Sequence, residues 1–465
     1  MQVTKQEGTS QVNANSATSV LVEPGGGGVV AHVGLHALGA FADRMGLGAG
    51  LSEAIPAGMV IHDRGKVLVQ AMLMLTGGGE ACTDIEVLRA QPALFGHVAS
   101  DSTLYRLLRN LEPATLEGCW AAVAQVRSSV WKRSSATTGK APVVLDLDAS
   151  LVQIHSENKV GTAPTYKGGF GFSPMFCFAD ATGEALGAKL RPGNATANDI
   201  ADQLEVLDQA VGQLPEAIAA GHLPGDEPGL VRRPIRVRAD SAGASPRLAM
   251  GFRARNIGFS VVARTNAQIQ GAIWSIIENG RAWFPALAQD GTEREGAVVT
   301  EITDLVDLSA WPSGTRLILR REALHPGAQT SLFPDLEHRY WGHYTDALEP
   351  DPAVLDADMR AHAHVEDHIR RLKASGAERF PFVDLDANRA WLALVCYADA
   401  LVRWFQLLCL SGALAKAEPK TLRWGLWHSP ARVVRRARRV VIRILDGWPA
   451  AGDLLGAYER IALIT

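Results

Sequence analysis

The chain has 465 residues, a net charge of −3, 47% hydrophobic residues and 20% charged residues. That length suits about two to four domains around a sizeable buried core. The mild acidity excludes a uniformly basic nucleic-acid coat and leaves any polyanion contact to local patches. The five cysteines, Cys82, Cys119, Cys177, Cys396 and Cys409, include no CxxC pair and read as reduced, buried thiols of a cytoplasmic protein. No apolar run reaches the ~18 residues of a membrane span, and no signal peptide is evident at the N-terminus.

Residues 1–28 are rich in Ser, Thr, Gly and Gln and predict a mobile tail. Residues 29–140 predict helices: HVGLHALGAFADRMGL and KVLVQAMLMLTGGG carry helical apolar spacing, and Asp101 or Ser102 is placed to cap a helix through Tyr105, Arg106 and Arg109. The stretch VWKRSSATTGKAP reads as a linker. Over 141–265 the pattern changes to strands at 143–149, 175–180 and 185–192. A helix follows near 197–212, opened by Asn198 and Asp199, then a strand ending at Asp240, a short helix and a strand at 259–265. This is a mixed α/β order with a crossover. Residues 266–345 read as a β-rich insertion, with AVVTEITDL, RLILRRE and RYWGHYTD as strands. Residues 346–415 hold two long helical runs, DADMRAHAHVEDHIRRLKASG and DLDANRAWLALVCYADALVRWFQLLCL. Residues 416–465 are a basic C-terminal region.

VVLDLDAS puts two carboxylates into a strand whose other residues are core-like. Asp146 and Asp148 sit two apart and so share one face, and an ionised carboxylate there is costly unless compensated. Asp240 ends its strand in RVRADSAGAS, where functional groups concentrate in α/β sheets. Glu366 lies mid-helix in HVEDHIRRLK. Three such acids suit two-metal phosphoryl transfer: Mg²⁺ takes hard oxygen ligands, two ions activate the attacking oxygen and steady the leaving one, and gathered carboxylates repel one another without a cation. The bland reading of each acid stays open: a turn hydrogen bond for Asp146 or Asp148, a cap for Asp240, an i,i+4 pair with Arg370 for Glu366.

Taken together, the motifs resemble the DDE transposases of bacterial insertion sequences, in the group called IS thirteen-eighty and related to the IS four-like transposases. VLDLDAS resembles the first-aspartate strand and points to Asp148 over Asp146. PTYKGGFGFSPMFCFAD resembles the hairpin after it. RVRADSAGAS and GFSVVART resemble the second-aspartate strand and its neighbour. HVEDHIRRLK and FPFVDLDANRAWLALVCYADAL resemble the glutamate helix and the helix after it, and TDIEVLRAQPALF and SDSTLYRLL the N-terminal region. The resemblance implies an RNase H-like core, a mixed sheet flanked by helices, interrupted by the β-rich insertion. It implies that Asp148, Asp240 and Glu366 are the catalytic metal ligands, with Asp146 a possible extra carboxylate. Two Mg²⁺ ions per site, replaceable by Mn²⁺, would cut at transposon ends and join to target DNA. The implied partners are double-stranded DNA, as terminal inverted repeats and target, and a second copy of the chain; the N-terminal helices are expected to recognise the repeats. Where related transposases carry Tyr, Arg, Glu and Lys along one helix, this chain has Met359, His362, Glu366 and Lys373, still on one face. Ser173 stands where His is expected.

Basic residues supply candidate DNA contacts. ARVVRRARRVVIRIL (431–445) contains Arg432, Arg435, Arg436, Arg438, Arg439 and Arg443 and no acid; it suits an amphipathic helix, or one ending in a strand, and Arg favours bidentate phosphate contacts. Lys167, Arg360, His362, Arg370 and Lys373 lie beside the acids, Arg232, Arg233, Arg236 and Arg238 flank Asp240, and Trp274, Trp283 and Trp311 are candidates to stack on an unpaired base. Two other readings compete: a DNA-binding repressor that has lost catalysis, and an RNase H-like nuclease without strand joining.

Overall fold

A nine-stranded mixed sheet runs through the computed structural model, which describes every residue except 1–4, 7–8, 13–19, 23–26, 57–60, 135–140, 325–337, 438 and 465. Its first half comprises β1 (Val143–Ala149), β2 (Met175–Ala179), β3 (Ala185–Lys189), β4 (Ile235–Ala239) and β5 (Gly258–Ala263). They lie in the order β3-β2-β1-β4-β5. β1, β4 and β5 are parallel, and β2 runs antiparallel to both its neighbours. This is the RNase H-like sheet expected from the resemblance. The central strands are covered on both faces, so they read as near-continuous apolar runs, with Leu145, Leu147, Val237 and Val261 fully buried.

The inserted segment does not form a lobe of its own. Its strands β6 (Phe284–Leu287), β7 (Glu293–Glu301), β8 (Arg316–Ala323) and β9 (His338–Thr345) continue the same sheet, because β9 pairs antiparallel with β5 and closes what would otherwise be an open edge.

Helices cover the sheet. In chain order they include α1 (Val33–Arg44), α2 (Arg64–Thr76), α3 (Pro113–Arg133), α4 (Ile200–Gly212), α5 (Ala267–Asn279), α6 (Pro352–Arg360), α7 (His364–Leu372), α8 (Leu385–Cys409) and α9 (Ala451–Leu463). α4 starts where the sequence placed it: the Asp199 carboxylate accepts from the Asp202 amide. The helix Asp101–Arg109 is capped by Ser100, one residue earlier than read, its hydroxyl accepting from Thr103 N. α8 is the hub, touching α1, α2, α3 and α9. At 25 residues it is long and apolar enough to span a bilayer, a run the sequence reading overlooked, but 78% of its most apolar window is buried against the other helices, as in a core helix.

Four further expectations are corrected. Within the predicted tail, Lys5–Gln6, Thr9–Val12 and Val20–Val22 form a small antiparallel sheet. The insertion opens with a helix, α5, which Asn266 caps by accepting from Ile269 N and which stops at Gly280 in a left-handed φ of 73°. The run 356–376 is not one helix: a 3₁₀ turn at Ala361–Ala363 separates α6 from α7, and a π turn at Lys373–Ala377 follows. Residues 431–445 are not a helix but a hairpin of β10 (Ala431–Arg436) and β11 (Arg439–Ile444). The linker residues 135–140 and Arg438 lie outside the described residues.

One buried carboxylate fastens the helical layer to the sheet. Glu184, in the β2–β3 turn, accepts from Arg127 Nε at 2.7 Å, Trp131 Nε1 at 2.7 Å and Trp404 Nε1 at 2.8 Å. Arg127 and Glu184 are both fully buried. Every partner donates, so the charge is compensated within the protein.

Candidate active site

The parallel pairing of β1 with β4 sets Arg238 against Asp146 and Ala239 against Leu147. One residue further, Asp148 and Asp240 stand side by side at the C-terminal ends of two adjacent parallel strands and line one small cleft. Asp148 accepts from its neighbour's amide, Ala149 N, at 2.7 Å. Asp240 spends one oxygen as a cap, accepting from Ala242 N at 2.8 Å. Its capping role is therefore real and leaves the other oxygen for a ligand.

Burial pushes the Asp148 carboxyl up to about 6, and the negative charges of Asp240 and Glu366 push the same way; the Ala149 amide and His362 oppose them. The three acids, 92 and 126 residues apart in sequence, thus converge within electrostatic range. Glu366 is exposed on α7. Arg370, its expected i,i+4 partner, turns instead to Glu418, at 2.7 Å, and to Asp367.

Asp146 faces the same way as Asp148 but is fully committed elsewhere. Its oxygens accept from Arg238 Nε and Nη2, both at 2.8 Å, and it meets His362 Nδ1 at 2.8 Å. Burial would raise this carboxyl, but the hydrogen bonds from His362 and Arg238 outweigh it and hold it below the usual carboxylate range. Arg238, itself buried, also reaches Asp180 at 2.8 Å and the Asp358 carbonyl at 2.8 Å. Asp146 is therefore a brace that ties β1, β4 and the turn before α7 together, not a spare metal ligand. His362, a candidate surface contact, is 8% exposed and occupied by this brace, its Nε2 buried without a partner.

Other candidates divide in the same way. Arg360 is drawn inward, to Asp356 at 2.8 Å and to the Leu287 carbonyl. Arg236 is spent on Phe259 O, Ser260 and Thr345. Trp311 stacks on Tyr344, ring centres 4.1 Å apart, and Trp283 lies under the Arg321 guanidinium at 4.6 Å, so both are packing residues. Trp274 is exposed on α5.

Lys373 lies within electrostatic range of Asp148. With Lys159, Lys167 and Arg379, and with Glu80 and Glu378, it lines a cavity of about 760 Å³. Lys373 also shares a shallower hollow of about 420 Å³ with Glu366. Its Nζ donates to Leu151 O at 3.0 Å. Burial lowers its pKa and the charge of Lys167 adds to that, while Glu378 and Asp148 oppose it. Lys373 and Glu378 border both hollows and so join the larger cavity to the one that Glu366 lines.

The donor set is all carboxylate oxygen, which suits a hard divalent cation. Among the described residues no three His, Cys, Asp or Glu side chains are grouped closely enough for a ready-made cage. The two carboxylates that do stand together, Asp148 and Asp240, match the one or two that Mg²⁺ takes alongside water and substrate phosphate. The neighbouring histidines do not converge: His364 meets Asp180 at 3.2 Å and His368 packs on Phe178.

Residues 12–465 match the family model described as transposase DDE domain, group 1. The chain belongs to that family. No curated protein matches the transposase significantly. Among solved structures it is similar to a piggyBac transposase synaptic complex with hairpin DNA, determined by cryo-electron microscopy. That match has 11% identity and a TM-score of 0.43, over 85% of this chain and 80% of that one.

Proposed function

We propose that this transposase belongs to a bacterial insertion sequence of the IS thirteen-eighty group, binds the element's terminal inverted repeats, and catalyses metal-dependent strand cleavage and strand transfer. It would work in the cytoplasm, on nucleoid DNA, as a homodimer holding two DNA ends. The observation that carries this reading is the placing of Asp148 and Asp240 side by side at the ends of two adjacent parallel strands, with Glu366 of α7 within electrostatic range of Asp148.

In this reading Asp148, Asp240 and Glu366 hold the Mg²⁺ ions, or Mn²⁺ in substitution. Bound there, the metal would activate the attacking oxygen and steady the leaving one. The protein's own part is positioning. Asp146 and Arg238 fix the two aspartate strands in register, His362 links that pair to the start of the glutamate helix, and Lys373 and Lys167 hold the phosphodiester against the acids. A scissile phosphate fixed this way reacts without the entropy loss of a free encounter.

The test is cutting of DNA that carries the element's terminal repeats, with Mg²⁺ or Mn²⁺, followed by a search for joined products. Cutting and joining that vanish in Asp148→Asn support the reading. Metal-independent binding without cutting turns it into the repressor, and cutting without joined products into a plain nuclease.

A further inference from the structure

The C-terminal hairpin is the strongest unassigned feature. β10 and β11 pair with Arg432 opposite Arg443, Val434 opposite Val441 and Arg436 opposite Arg439. Strand alternation puts these six residues on one face. The other face carries Ala431, Val433, Ile442 and Ile444, which pack against the core, with Arg435 and Val440 beyond them. A third strand, Val29–Val30, supports only the base, pairing with Ala431 and Arg432. Beyond that base the hairpin is a two-stranded ribbon whose outer face carries four arginines around the Val434–Val441 pair.

We propose that this ribbon is a duplex-DNA docking element, with Arg432, Arg443, Arg436 and Arg439 as its phosphate contacts and the major groove as its seat. The inference rests on the functional reading only for the choice of DNA as polyanion. Three observations carry it. First, the arginines form two cross-strand pairs of like charge, and directly opposed like charges destabilise a sheet unless an anion lies between them. Second, all four side chains are exposed, and no carboxylate among the described residues pairs with them. Third, the two pairs lie four residues apart, roughly 13 Å at ~3.3 Å per residue, close to the ~12 Å width of a major groove that admits a β-ribbon. Laid across the groove, each pair meets one phosphate wall, and Val434 and Val441 face the base edges between them. Arg435 points away and takes no part, whereas Arg443 joins the set.

The experiment measures equilibrium binding of the full chain, without metal, to a random-sequence duplex longer than one helical turn, over a range of salt. Replacing all four arginines (R432Q, R436Q, R439Q, R443Q) is expected to weaken binding about ten-fold or more and to cut the slope of log K against log salt by roughly 3 to 4. R435Q is expected to change affinity less than two-fold. The pair R436Q/R439Q, at the tip and away from the packed base, guards against misfolding and is expected to remove about half of the slope change. Unchanged affinity and slope in the four-fold variant, an equal loss in R435Q, or tighter binding to phosphatidylserine vesicles than to duplex would overturn the proposal. D148N separates the two readings. If it binds normally but does not cut, the active site stands whatever the ribbon does. If the wild-type chain never cuts yet the slope falls as stated, the ribbon stands and the catalytic reading fails.

Discussion

Two aspartates on one strand face, two residues apart, live in opposite surroundings. Around Asp146 the protein supplies Arg238 and His362, and the carboxyl is held ionised. Around Asp148 burial, joined by the charges of two more acids, pushes the carboxyl up to about 6. A buried charge that the chain compensates itself belongs to the architecture; one left uncompensated is kept for something from outside. Glu184, held by Arg127 and two tryptophans, falls on the architectural side.

The contrast is sharpest in activity. Asp148→Asn and Glu366→Gln are expected to lower DNA cutting by at least about 10³-fold, since bound metal is worth several kcal/mol in the transition state. Equal cutting by either variant would break the comparison. The architectural acids should instead show in stability. Glu184→Ala and Asp146→Ala each strand a buried arginine and are expected to cost about 3–5 kcal/mol in denaturant unfolding. A loss below about 1 kcal/mol in either would remove it from that class.

Acidity tests the same contrast more gently. The folded-state value of Asp148, about 6, lies above its ordinary 3.8, so the folded protein binds the proton more tightly than the unfolded chain. The resulting penalty on stability is absent below 3.8, grows as pH rises through the window to about 6, and is complete above it. Without metal, Asp148→Asn is expected to stabilise the protein at pH 7.5 by on the order of 1 kcal/mol and to have little effect near pH 4. Mg²⁺ should stabilise the wild type at pH 7.5 and not the variant. Melting curves at the two pH values check both. The smallest effect is expected from Lys373→Ala, which should weaken duplex binding a few-fold and reduce the salt slope by about 1.

Much of the catalytic sheet was legible in the residues. LDLDAS and RVRAD show strand patterning, and a carboxylate amid core residues is conspicuous wherever it occurs. What Asp146 does was not legible, because its answer is Arg238, brought opposite it only by strand register across 92 residues. That register also withdrew Arg238 from the pool of DNA-binding arginines. The C-terminal hairpin was hidden by its turn: Ala437 adopts a left-handed φ of 48° where Gly or Asn would have announced a two-residue loop. Its valines suit a helical stripe as well as a strand. α5 had its signals, Asn266 before and Gly280 after; the strand runs further along the insertion set the reading for the whole segment.

The placing of α8 has a practical consequence for anyone dissecting this transposase. It lies beneath the N-terminal helices, and a single hydrophobic cluster runs from Val33 on α1 through Trp404 on α8 to Leu454 on α9. Cutting the gene after residue 140, in the hope of a free DNA-reading arm and a free nuclease, would leave each product with one greasy flank open to water. The two halves are better studied by point changes in the intact chain than by separation.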